Sequence, residues 1–317
     1  MNANAIETRE LTRRYRGETA LDGVSVSIKE NVITGLLGRN GAGKTTLMSL
    51  ITAQDLPSSG TVRVDGHAPF ERAETIERMC FIRDNQRYPD DYRLHHALRA
   101  AAFSYPNWSQ ELADHLVEVF RIPRRTIVKK YSRGQLSALG IVLGLASRAP
   151  ITFFDEPYLG LDATARGIFY DELLRDYAEH PRTIILSTHL IDEMDRLLER
   201  VIVLDRGRVV READVDELRG EAFQIAGKLS DLDAFLAGRE VLSRRTIGGL
   251  GTAIIGERPS DSVQAEAREL GLELSGVSLQ DLVAAYGLAD EPGTASHPES
   301  DPTRAANAAR TPERSAS

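Results

Sequence analysis

The sequence predicts an α/β fold in which a parallel sheet is interrupted by a mostly helical insertion and followed by a smaller α+β unit. Three observations carry that expectation. The continuous apolar runs "ITFFD" (151–155) and "TIILST" (183–188) have the character of strands buried on both faces. A glycine-rich loop, "GRNGAGKT", separates the β-rich run "VITGLLG" from "TTLMSLITAQ", whose apolar residues recur at helical spacing. Between about 85 and 150 the pattern is helical, with little strand signal.

Taken in order, "TALDGVSVSI" and "VITGLLG" read as short strands divided by turn residues, and "GTVRVDG" (60–66) alternates as a further strand. "LHHALRAAAFSY", "SQELADHLVEVFR" and "QLSALGIVLGLAS" supply the helices of the insertion. "ARGIFYDELLRDYAE" is a helix between the two buried strands, and "RVIVLDRGRVVRE" (200–212) is a hairpin turning at Asp205–Gly207. The second unit reads as strand (222–226), helix (231–237), strands (240–246 and 251–256), helix (260–270), strand (272–276) and helix (279–286). That βαββαβ order suits a ferredoxin-like sandwich. From Asp290 to Ser317 there is no Ile, Leu, Val, Met or aromatic residue, a composition expected of a disordered tail. The expected division is therefore 1–215 with a helical part at about 85–150, a small domain at 216–288, and a tail at 289–317.

The 42% apolar and 27% charged fractions are those of a globular protein. A net charge of −8 argues against a protein that grips nucleic acid by its phosphates. A single cysteine, Cys80, excludes an intrachain disulfide and a metal site built from cysteines, and is read as a small buried hydrophobe. The N-terminus lacks the apolar core of a secretory signal. No apolar run approaches the ~18–20 residues that span a bilayer, so a membrane role requires another chain.

"GRNGAGKT" occupies Gly38, Arg39, Asn40, Gly41, Ala42, Gly43, Lys44 and Thr45 and matches G-x-x-x-x-G-K-[ST], the phosphate loop of nucleotide-binding proteins. Glycines let successive backbone N–H groups face an anion, and the helix that follows adds its positive end. Lys44 brings a charge to the β- and γ-phosphates, Thr45 offers a hydroxyl to Mg²⁺, and Thr46 continues the nucleotide-facing turn. At the end of the apolar run 151–155, Asp155 has the position of a Mg²⁺-holding carboxylate. Glu156 follows it as the group to orient or deprotonate an attacking water. In "YSRGQ", Ser132 is a good N-cap for the helix that begins there.

The phosphate loop, the helical insertion, "YSRGQ", "ITFFDEP", "LGLDA" and "STH", in this order over roughly residues 5–212, resemble the nucleotide-binding cassette of ABC transporters. The resemblance implies a P-loop ATPase that uses ATP and Mg²⁺. It places Tyr15 where the family stacks an aromatic ring on adenine. It matches Ser132, Gly134 and Gln135 to three positions of the LSGGQ signature, which faces the nucleotide of a second cassette, while Tyr131 and Arg133 depart from it. Asp162 falls in the loop that crosses between cassettes, and His189 matches the histidine that touches the γ-phosphate. The family glutamine that contacts Mg²⁺ and senses the membrane partner has no clean counterpart in "CFIRDNQRYP", where Asp84 or Gln86 can serve.

The segment 133–166 resembles cassettes of bacterial exporters whose permease is a separate chain. The implied protein is a cytoplasmic ATPase subunit, peripheral on the inner face of the cell membrane, with a permease and a second cassette as partners. Two alternatives belong to other classes. One is a soluble cassette ATPase acting on ribosome or DNA, for which the chain shows neither a second cassette nor a long coiled coil. The other is a nucleotide-binding regulator without turnover, against which Glu156 and His189 argue.

Overall fold

The structure is a computed structural model and describes residues 3–70, 72–84 and 86–288. The tail expected to be disordered, 289–317, lies outside the described residues.

The chain opens with β1 (Asn4–Tyr15), β2 (Glu18–Val24), β3 (Ser27–Lys29) and β4 (Ile33–Leu37), then α1 (Lys44–Ile51) and β5 (Ser59–Val64). A short α2 (Ala73–Ile76) and β6 (Met79–Ile82) lead into the insertion, made of α3 (Leu94–Ser104), α4 (Gln110–Val119), a 3-10 turn (Val128–Lys130) and α5 (Arg133–Ser147). There follow β7 (Ile151–Asp155), α6 (Ala163–Glu179), β8 (Thr183–Thr188), α7 (Ile191–Met194), β9 (Arg200–Asp205), β10 (Arg208–Asp214) and α8 (Val215–Gly220). The remaining elements are β11 (Phe223–Lys228), α9 (Leu229–Leu236), β12 (Val241–Ile247), β13 (Leu250–Ile255), α10 (Asp261–Glu269), β14 (Glu273–Gly276) and α11 (Leu279–Leu288).

Six strands form the central sheet in the order β10-β9-β4-β8-β7-β6, all parallel except the edge strand β10. Alternation along each strand divides its side chains between two cores. Leu36, Phe153, Ile185 and Ile202 meet α1 and the antiparallel sheet of β1, β2, β3 and β5. Leu37, Phe154, Leu186 and Val203 face the other way, onto α5, α6 and the helical insertion. Residues 138–147 of α5 are all buried, which accounts for the apolar stretch "LGIVLGLA".

Strand β1 was absent from the sequence-based expectation, and its residues explain why. It carries Glu7, Arg9, Glu10, Arg13 and Arg14, and its buried positions do not alternate. Register shifts against β2, β3 and β5, with Glu10 at φ 48°, break the period of two.

The C-terminal segment has the expected βαββαβ order, with an antiparallel sheet β12-β13-β11-β14 over a small core of Phe223, Ile225, Leu232 and Phe235. Its last helix does not join that core. Leu279, Leu282, Val283 and Ala285 of α11 belong to the cluster shared with the large sheet and insertion. Leu282 is fully buried there, so Leu282→Ala is expected to cost about 2–5 kcal/mol. Calorimetry should show one thermal transition moved down as a whole. Two transitions, with only one displaced, would show that α11 does not tie the units together.

Candidate functional site

Parallel register brings three chain segments together at the carboxyl ends of β4, β7 and β8. Leu37 pairs with Thr188 and Asp155 with Ser187. The phosphate loop, the acidic pair and His189 therefore emerge side by side, where α/β sheets bind ligands. They border a cleft of about 880 Å³ lined by Arg39–Thr46, Asp155, Glu156 and His189.

The loop turns into α1 at Gly43, at φ 104°. A Cβ there would lie 2.6 Å from the Leu21 side chain and 2.7 Å from the Ala20 carbonyl oxygen, so only glycine fits. Lys44, 6% exposed, donates to the Gly38 carbonyl at 2.7 Å and the Arg39 carbonyl at 3.3 Å. Its ammonium is also 3.4 Å from Glu156 Oε1. Thr45 Oγ1 donates to Asp155 Oδ2 at 2.7 Å, and Ser187 Oγ donates to Asp155 Oδ1 at 2.7 Å. Ser187 in turn accepts the Glu156 N–H at 2.9 Å. Thr45 and Asp155 thus offer adjacent oxygen atoms only, the donor set of a hard cation such as Mg²⁺, which takes one or two carboxylates and completes its shell with phosphates and water.

Glu156 sits at φ 51°, a left-handed conformation that costs a non-glycine residue on the order of 1–3 kcal/mol and is found at functional sites. Its Oε2 lies 2.7 Å from His189 Nδ1. Its Oε1 is buried with no hydrogen-bond partner beyond the Lys44 ion pair. Tyr158, fully buried, donates its phenolic hydrogen to Glu156 Oε2. Burial and the Glu156 carboxylate push the phenol's pKa up and keep it protonated. No motif in the sequence marks Tyr158, a tyrosine between a proline and a leucine.

Other expected residues are distributed differently. Tyr15 does not line the cleft. Its hydroxyl donates to Asp55, and the Arg13 guanidinium lies 4.4 Å over its ring. Asp84 lines the cleft, with both oxygens near Arg133 Nη2 at 3.0 and 3.1 Å. Gln86 lies behind it, in a small cavity also lined by Asp155 and Glu156, and its Oε1 is buried without a partner. Two further arginines border the cleft, Arg83, held by Ser49 and Gln54, and Arg206. No motif marks them.

Ser132 caps α5 as expected, accepting the Gln135 N–H at 3.2 Å, while Gln135 Oε1 accepts the Ser132 N–H at 3.0 Å. This is a reciprocal capping box. Gly134 meets Gly160, since a Cβ on Gly134 would stand 2.5 Å from the Gly160 carbonyl oxygen. Asp162 caps α6, accepting the Ala165 N–H at 2.8 Å. These contacts differ in weight. The Arg133–Asp84 pair is largely exposed, so Arg133→Ala is expected to change stability by under about 1 kcal/mol. Gly134→Ala drives a methyl into backbone and is expected to cost about 1–3 kcal/mol. Urea unfolding of both variants tests the ranking.

Residues 21–159 match the family model described as ABC transporter. The chain is 30% identical over 271 residues to the daunorubicin/doxorubicin resistance ATP-binding protein DrrA of Streptomyces peucetius, covering 83% of this chain and 80% of that protein. It is 29% identical over 235 residues to the ABC transporter ATP-binding protein YtrB of Bacillus subtilis (strain 168), covering 74% and 80%. Its fold is similar to that of the ATP-binding cassette MJ0796, solved as a dimer in a post-hydrolysis state bound to ADP and Pi, with a TM-score of 0.58 and 24% identity over 66% of this chain and 98% of that one. With its phosphate loop, strand-end acidic pair and following histidine joined in one cleft, the chain belongs to the ATP-binding proteins of the ABC transporter family.

Proposed function

We propose that this chain binds and hydrolyses ATP as the cassette subunit of an exporter-type ABC transporter, coupling closure of two cassettes on ATP to movement of a membrane permease. The observation that carries this reading is the meeting of Lys44, Asp155, Glu156 and His189 at adjoining strand ends. Family membership supports ATP as the nucleotide, and the drug-resistance relative supports export.

In this reading the loop 38–46 wraps the phosphates, with N–H groups at the start of α1 and the Lys44 charge facing the β- and γ-phosphates. Thr45 and Asp155 would hold Mg²⁺, which would offset the charge of those phosphates. Gln86 is the better third oxygen donor, since Asp84 already faces Arg133. Entering phosphates compete with Glu156 for Lys44. That leaves Glu156 Oε1 to take a proton from the attacking water. His189 remains beside Glu156 to touch the γ-phosphate.

Ser132, Gly134 and Gln135 lie at the N-terminus of α5, where free amides suit an anion. They would meet the γ-phosphate held by a second cassette, with Asp162 near the seam. The dimer of MJ0796 supports that arrangement. In this reading the permease is another chain and this one lies at its cytoplasmic face; among the described residues no helix is long and apolar enough to cross a membrane.

Membranes carrying the tagged chain should yield a multi-span protein on co-purification, and the complex should release phosphate from ATP. Glu156→Gln is expected to lower turnover by about 10²–10⁴-fold while retaining ATP binding. Lys44→Ala is expected to lose binding as well. Excess EDTA should abolish turnover and added Mg²⁺ restore it. Unchanged hydrolysis in Glu156→Gln would sink the reading.

A further inference from the structure

The proposed reaction gives Tyr158 no role, yet its hydroxyl is the most connected side-chain group in the site. It lies at the centre of four contacts. Thr188 Oγ1 donates to it at 2.9 Å and the His189 N–H at 3.0 Å. It donates to Glu156 Oε2, and His189 Nδ1 is 3.2 Å away. A phenol has one hydrogen to give and two lone pairs to offer. Both lone pairs are taken, by a backbone N–H and by a threonine whose own oxygen accepts the Leu190 N–H at 2.9 Å. The phenolic hydrogen is therefore left for the carboxylate.

Two donors then converge on one oxygen of Glu156, namely the Tyr158 hydroxyl and His189 Nδ1–H. The other oxygen, Oε1, is buried, faces Lys44 and has no hydrogen-bond partner. A carboxylate with one oxygen doubly held and the other met only by the Lys44 ammonium has a single orientation to present. A ring that merely filled the core would need no hydroxyl there, and phenylalanine would take from the part-buried His189 N–H its acceptor.

We infer that Tyr158 is a positioning residue for hydrolysis, fixing Glu156 through Oε2 so that Oε1 is the atom presented to the attacking water, and holding His189 in the same frame. The inference rests on the reading of Glu156 as the group that takes the water proton. Nothing covalent changes at Tyr158 during turnover; its proton stays on the hydroxyl.

The test is Tyr158→Phe in the full-length chain, alone and combined with Glu156→Gln. ATP turnover is followed by phosphate release, single-turnover hydrolysis is run for the slow variants, and affinity is measured with a fluorescent ATP analogue. Tyr158→Phe should lower kcat by about ten- to a hundredfold, with KM and nucleotide affinity kept within about twofold. In the Glu156→Gln background the same change should cost nothing more, because the carboxylate it positions is gone. A wild-type kcat in Tyr158→Phe, beside a dead Glu156→Gln, overturns the positioning role and leaves the hydrolytic reading intact. An active Glu156→Gln overturns both. A Tyr158→Phe variant that loses nucleotide binding along with turnover, or whose loss adds to that of Glu156→Gln, also overturns it, since the hydroxyl would then be holding the fold.

Discussion

A lysine ammonium buried at the end of a parallel sheet is the constraint from which the site follows. The Lys44 side chain ends in a place where an unpaired ion would cost several kcal/mol. Its partners are two carbonyl oxygens of its own loop and one carboxylate oxygen. The carbonyls are available only because the loop turns tightly enough to aim them inward. The carboxylate is available only because β7 lies one strand away from β4, across β8. Loop geometry, strand order and the placing of Glu156 are thus solutions to one electrostatic problem. They leave an ammonium whose ties a polyphosphate, with more negative charge, can replace.

The same loop that carries Glu156 and Tyr158 is also in mechanical contact with the helical insertion. Leu159 N–H donates to the Glu156 carbonyl at 3.2 Å, and Ser137 Oγ on α5 donates to the Leu159 carbonyl at 2.5 Å. Gly134 and Gly160 approach so closely that neither tolerates a side chain. The start of α5 and the turn after the acidic pair are therefore held as neighbours. Bonds and steric contact link the helix that begins at "SRGQ" to the backbone of Glu156.

Legibility in the sequence followed the range of the forces involved. The phosphate loop, the buried strands and the capping serine are written in local spacing, because backbone turns, two-sided burial and helix starts each act over a few residues. The order of the C-terminal elements was readable for the same reason. Strand β1 was not, since its bulges and surface charges hide a period that pairing with three other strands enforces. Tyr15, expected at the nucleotide, has Arg13 over its ring and its hydroxyl on Asp55, 40 positions away, a contact that local spacing does not announce. Tyr158, Arg83 and Arg206 went unnoticed because their importance arises from which strand ends the sheet makes adjacent. The pairing of Asp84 with Arg133, 49 positions away in the chain, is likewise invisible in local spacing.

The anchoring of the C-terminal segment belongs to that same class of long-range facts, and it bears on the chemistry. Helix α11 packs on α7 and α8, and α7 begins two residues after His189. Gln280, Val283 and Ala284 share the wall of a cavity with His189 and Gly38. Apolar packing is short-ranged and intolerant of gaps. The seat of α11 and the seat of the α7 turn therefore cannot be set independently. The small sheet has its own core on one face, while its Ile254 and Leu242 join the cluster that α11 shares with the large sheet, and that helix closes one side of the strand-end cluster from which His189 projects.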